Sequence, residues 1–131
     1  MVALLFEQLN LAPVSLVDRS NELQELSSAR SAPSDCQAFF VIDTGTPRKP
    51  LYESSTDAML VSQYLKIPTI NGYSGQYPPG YGPADPSSDD YLQEIEVWAL
   101  EHDLAEGLCS YDPAHGVWNP ARIATQVAPG P

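Results

Sequence analysis

The chain has 131 residues, 43% of them hydrophobic, which is the size and composition of one domain able to bury a single core. Its 17 acidic residues outnumber 6 basic ones, for a formal charge of −11. That balance excludes nucleic acid as an expected partner, because such binding depends on Lys and Arg neutralising phosphates, and it disfavours attraction to anionic lipid.

The elements are expected in the following order. Met1 to Phe6 is apolar but short, has no basic leader and is interrupted by Glu7, so it is a poor match to a signal peptide. No run approaches the roughly 20 apolar residues that cross a bilayer, so no membrane span is expected and the chain reads as soluble. Val14 to Asp18 is a short strand. Ser20 to Arg30, with Leu23 and Leu26, reads as a short helix capped by Ser20 or Asn21. Gln37 to Asp43 is a continuous apolar run of strand length, suited to a strand buried on both faces.

A polar loop with Gly45, Pro47 and Pro50 follows. The next helix is expected from Ser54 or Ser55, with Asp57 in its first turn and Pro68 as its stop. Thr69 to Asn71 is a short strand leading into a loop rich in tyrosine and glycine. The second strong helix is expected from Ser87 or Ser88, with Leu92, Ile95, Trp98 and Ala99 on its core face and Gly107 as its end. Leu108 to Tyr111 is another short strand, and residues 124–131 form a tail expected to fray.

Alternating strands and helices predict a small single-domain α/β protein, spanning residues 1–131, with a short, mainly parallel sheet and flanking helices. Ligands of such sheets sit at the edge formed by the strand C-termini. Asp43, the segment Asn71 to Tyr81 and the segment Asp112 to Trp118 all leave from that edge. Cys36 and Cys109 allow one disulfide or none, and both adjoin apolar runs where a buried thiol is common.

The segment Pro68 to Gly82 is the most informative in the chain. Tyr73, Tyr77 and Tyr81 are spaced four apart among Gly72, Gly75, Gly80 and Gly82, and Pro78 and Pro79 prevent a helix. Tyrosines offer flat apolar faces with a hydroxyl at the rim, suited to a sugar or a protein partner. Asn71, Ser74 and Gln76 offer directional hydrogen bonds. The same loop also suits a packed Ω-type cover over the sheet edge.

The runs Ser55-Thr56-Asp57-Ala58-Met59, Ile67-Pro68-Thr69-Ile70-Asn71-Gly72-Tyr73-Ser74-Gly75 and Pro78-Pro79-Gly80-Tyr81 resemble the soluble C-terminal segment of certain bacterial multi-pass, glycosyltransferase-like membrane proteins of uncharacterised function. In that family an Asp-Ala-Met helix leads into Pro-Thr-x-Asn-Gly-Tyr-Ser-Gly and then Pro-Pro-Gly before an aromatic. Cys36-Gln37-Ala38-Phe39-Phe40 resembles the strand that precedes the helix. The resemblance covers roughly the middle third to half of the chain. It implies a soluble appendage or stand-alone relative rather than an active transferase, at the extracytoplasmic face of a bacterial membrane. Without it, the cytoplasm is the expected location.

Other constellations are weaker. Asp43-Thr44-Gly45 matches the aspartic-protease tripeptide, but that fold is mostly β and a polar turn after a strand explains the residues better. His102 lies near the end of an acidic helix, and His115 lies in a turn-rich loop near the expected site. Neither histidine has a partner at metal-ligand spacing. Ser54 and Ser55 are explained as caps, and Ser74 is not in a nucleophile elbow. Asp85 to Glu106 holds eight acidic residues and no Lys or Arg, without the alternation of a calcium loop.

The first expectation is a non-catalytic binding or accessory module, carbohydrate-related, with Asn71, Gly72, Tyr73, Ser74, Gly75, Gln76, Tyr77, Tyr81, Asp43 and His115 as ligand-binding residues and Trp118 nearby. One alternative is a small hydrolase or transferase acting on a carbohydrate-like substrate, with Asp43 or His115 as acid/base. The other is a protein-interaction domain that dimerises through the aromatic loop. No metal and no cofactor is expected.

Overall fold

The structure, a computed structural model, describes residues 19–29, 32–74, 76–121 and 123. The expected strand at Val14 to Asp18 and the tail from 124 onward lie outside the described residues.

Helix α1 spans Arg19–Ser28, so Ser20 and Asn21 lie inside it rather than capping it. Strand β1 is Ala38–Val41, the centre of the expected apolar run, and all four residues are buried. Its side chains alternate between two cores, as the period of two requires. Phe39 and Val41 pack with Ala29, Ala58, Val61, Cys109 and Tyr111. Ala38 and Phe40 pack with Ile70, Tyr91, Ile95, Ala99 and Leu108 on the other face.

Helix α2 spans Leu51–Leu65 and begins earlier than Ser54 or Ser55. Pro50 decides this. Its carbonyl accepts the N–H groups of Glu53 and Ser54 at 2.9 and 3.1 Å, which sets the first turn. Ser54 and Ser55 are therefore buried within the helix and not caps. Asp57 falls beyond the first turn and pairs with Lys49 Nζ at 2.7 Å. Lys66, in the left-handed region at φ 59°, ends the helix just before Ile67 and Pro68.

Helix α3 spans Tyr91–Glu101, shorter at both ends than expected. Ahead of it, Asp85 Oδ1 accepts from the N–H of Ser87 at 2.8 Å and from its hydroxyl at 2.6 Å, which folds this stretch into turns. Behind it, Asp103 takes a left-handed φ of 56°, and the Leu104 N–H reaches the Ala99 carbonyl at 2.8 Å. Asp103 thus ends the helix in the way assigned to Gly107. Gly107 instead forms the turn just before the following strand, with φ 80° and its carbonyl accepting from Gln37 and Ala38 at 2.7 and 3.2 Å.

Strand β2 is Leu108–Asp112 and β3 is Val117–Pro120. β1 pairs with β2 in parallel, and β2 pairs with β3 antiparallel through a hairpin. The sheet is mixed, in the order β1-β2-β3, rather than mainly parallel. The unexpected strand β3 is held by Trp118, which stacks on Tyr111 at 4.5 Å between centroids and meets Phe39 edge-on at 5.2 Å. Thr69 to Asn71 contributes only a single parallel bridge, Thr69 to Phe39.

Residues from α1 and α2 fill one core and residues from α3 the other, so helices cover both faces of a small mixed α/β sheet. Cys36 and Cys109 form a disulfide, with Cα atoms 5.8 Å apart, tying the chain just before β1 to β2. Among the described residues, no helix is long and apolar enough to cross a membrane.

Candidate functional site

Because β1 and β2 are parallel, the segments that follow them leave from the same edge, and they touch there. Asp43 and Thr44 come from β1. Asp112 and the turn through Gly116 come from β2. Thr44 Oγ1 donates to Asp112 Oδ2 at 2.5 Å, and His115 Nδ1 lies 2.7 Å from the same oxygen. Asp112 Oδ1 accepts the Ala114 N–H at 3.0 Å. Desolvation would raise the Asp112 pKa, but the hydrogen bonds from Thr44, His115 and Ala114, with the His115 charge when that ring is protonated, hold it below the usual carboxylate range.

Asp43 organises the loop beside this cluster. Its Oδ1 accepts the Gly45 N–H and its Oδ2 the Lys49 N–H, both at 2.9 Å. Asp43, Thr44, Lys49, Pro113, Ala114 and His115 line a cleft of about 480 Å³.

The aromatic loop builds a different cavity. After its bridge to β1 the chain turns away, and Tyr77 and Tyr81 stack face to face with centroids 5.1 Å apart and planes within 5°. Trp98 of α3 meets Tyr81 edge-on at 5.1 Å. The Tyr81 hydroxyl donates to the Ile70 carbonyl at 2.8 Å. Burial, helped by the neighbouring Tyr77, pushes its pKa up to about 12. Gly72, Ser74, Gln76, Tyr77, Tyr81 and Trp98 line a cavity of about 270 Å³, floored by Ala38, Ile70 and Leu104. Ser74 Oγ accepts the Gln76 N–H at 3.1 Å, which shapes the polar rim.

The residues singled out from the sequence therefore divide. Gly72, Ser74, Gln76, Tyr77 and Tyr81 share the aromatic cavity, whereas Asp43 and His115 share the polar cleft, and no lining residue is common to both. Gly75 lies outside the described residues. Tyr73 is 55% exposed and lies over α2, with its N–H 3.5 Å from Met59 Sδ and its ring 6.5 Å from that of Tyr52. Asn71 is 2% exposed, and its amide is engaged with Val41 and Tyr91. Trp118 donates its indole N–H to the Ala29 carbonyl at 3.2 Å and, half-buried, packs against the core.

Trp98 is the cavity residue that sequence reasoning assigned only to the core. The available signal was its i,i+4 spacing from His102, whose ring lies over the indole at 3.7 Å between centroids. Among the described residues, no three His, Cys, Asp or Glu side chains come together as a group able to hold a metal ion. Comparison with family models, curated proteins and solved structures finds no match to the chain.

Proposed function

We propose that the protein is a binding module whose aromatic cavity takes one neutral, pyranose-like sugar ring. The observation that carries this reading is the perpendicular Tyr81–Trp98 pair beside the cavity rim of Ser74 and Gln76. A sugar ring has an apolar face that lies against an aromatic plane and hydroxyls that need directional partners at the edge. A volume of about 270 Å³ suits a single small ring rather than a chain. The formal charge of −11 favours a neutral ligand over a nucleotide-linked or phosphorylated one. The resemblance to the soluble end of glycosyltransferase-like membrane proteins supports an accessory role in glycan handling. The Cys36–Cys109 disulfide suits an oxidising, extracytoplasmic setting.

The test is a titration of tryptophan fluorescence with neutral monosaccharides, on wild type and on Tyr77→Ala and Gln76→Ala. A saturable change in wild type, weakened about tenfold in Tyr77→Ala, supports the reading. No saturable change with any neutral sugar overturns it.

A second reading, a protein-contact surface, rests on the exposed Tyr52, Met59 and Tyr73 around α2, with Tyr73 55% exposed. Light scattering over a dilution series, on wild type and Tyr73→Ser, tests it. A dimer that dissociates in the variant supports self-association, and a monomer at every concentration removes it.

A further inference from the structure

We propose that Thr44, Asp112 and His115 form a general-base station that activates water against small neutral acyl esters, at a second site separate from the aromatic cavity. Asp112 Oδ2 lies 2.5 Å from Thr44 Oγ1 and 2.7 Å from His115 Nδ1. A carboxylate can only accept hydrogen bonds, so Nδ1 carries the ring hydrogen and Nε2 of the neutral imidazole carries the lone pair. The His115 side chain is 63% exposed. It lines two clefts, one with Asp43, Thr44 and Lys49 and the other with Gln24, Ser28 and Lys49. A base oriented by a carboxylate, open to solvent and bordered by space for a small molecule, meets the geometric requirements of base catalysis.

Water is the nucleophile in this scheme, and the hydroxyls of Thr44 and Ser28 are engaged elsewhere. Thr44 bonds Asp112, and Ser28 Oγ lies 3.2 Å from the Tyr111 hydroxyl. Asp43 on the cleft wall, with the Asp112 carboxylate bonded behind His115, selects against anionic substrates, and Lys49 brings the one positive charge among the residues lining this cleft. In the reaction, Nε2 takes a proton from water as the water oxygen bonds to the acyl carbon. The tetrahedral intermediate then breaks its bond to the alcohol oxygen, and the imidazolium returns the proton from Nε2 to that oxygen. The products are a carboxylic acid and an alcohol. His115 is the catalytic residue, and Asp112 is a positioning residue that holds its ring and tautomer.

The experiment follows p-nitrophenyl acetate hydrolysis by the full chain, comparing wild type with His115→Gln, Asp112→Asn and His102→Gln. The protein-dependent rate is expected to fall about 100-fold in His115→Gln and to persist in His102→Gln. In Asp112→Asn, kcat is expected to fall with KM near wild type. The imidazole ¹⁵N shifts of His115 are expected to lose the Nδ1–H tautomer in that variant. His115→Gln alters an exposed turn side chain, so it reports on chemistry even if Asp112→Asn perturbs folding. A wild-type rate no greater than that of equimolar free imidazole overturns the proposal. So does an unchanged rate in His115→Gln, or an equal loss in His102→Gln.

Discussion

The side-chain amide of Asn71 holds the main chain of Val41, where a neighbouring strand would otherwise do so. Asn71 Oδ1 accepts the Val41 N–H at 2.7 Å. Its Nδ2 donates at 2.8 Å to the Tyr91 hydroxyl, which in turn donates to the Val41 carbonyl at 2.9 Å. Both peptide groups of Val41 are thereby paired at a buried edge, through two side chains and no backbone. Desolvation raises the Tyr91 phenol pKa well above its ordinary value, so it remains a donor across the accessible pH range.

Asn71→Ala leaves the buried Val41 N–H without its acceptor and removes the hydrogen bond that the Tyr91 hydroxyl accepts. A loss of about 2 to 3 kcal/mol in unfolding free energy is expected. Urea denaturation of Asn71→Ala and Tyr91→Phe checks it. A loss below about 0.5 kcal/mol in Asn71→Ala would show that this link contributes little.

The disulfide closes a loop across a sequence separation of 73. Reduction, or the paired change Cys36→Ala with Cys109→Ala, is expected to cost about 4 kcal/mol through the larger entropy of the unfolded chain. Denaturation with and without reductant measures it. The paired variant should no longer respond to reductant.

Gly107→Ala is expected to be worse than Gly80→Ala. Both residues have positive φ, 80° and 78°. An added Cβ at Gly107 would meet Gln37 Cγ at 2.8 Å and the Asp35 carbonyl oxygen at 3.1 Å, whereas at Gly80 it would meet nothing within 4 Å. Gly80→Ala therefore costs about 1 kcal/mol of backbone strain, and Gly107→Ala costs that plus a shift of β1 against β2. Melting curves of the two variants should rank them in that order.

Asp112 makes stability depend on acid pH. Its pKa is depressed in the folded state, so its contribution is present above the unfolded-state value and is lost as pH falls through the lower folded value. Part of the fall in melting temperature below about pH 4 should disappear in Asp112→Asn. Thr44→Val removes one of the stabilising hydrogen bonds and should reduce the same part of the fall. Equal acid sensitivity in all three proteins would contradict this assignment.

Much of the frame was legible in the chain because its signals are local. The apolar run around Phe39 and Phe40 is buried on both faces as expected, and Ile95 and Ala99 lie on the core face of α3 as expected, whereas Leu92, expected with them, is exposed and Tyr91 is buried in its place. Helix limits were less legible. Pro50 competed with Ser54 as a start, and Asp103 competed with Gly107 as a stop. In each case a backbone carbonyl or a left-handed residue decided, not the commonest capping type. Strand β3 was missed because Val117–Pro120 is short and mostly exposed, and only Trp118 anchors it.

The candidate site was half legible. The placement of Asp43 and His115 at one sheet edge follows from strand order alone, and they line one cleft. The tyrosine loop, expected beside them, instead folds against α3, because Tyr81 is drawn to Trp98 and the Ile70 carbonyl.

Composition, periodicity and proline placement by themselves determined an acidic α/β chain with an aromatic loop outside its helices. Only the tertiary structure decided that the loop and the sheet edge line two separate cavities, that Asn71 serves Val41 from 30 positions away, and that Cys36 meets Cys109. Helix and strand periods are written in neighbouring residues, whereas a side chain's partner depends on what the folded chain carries to it from far along the sequence.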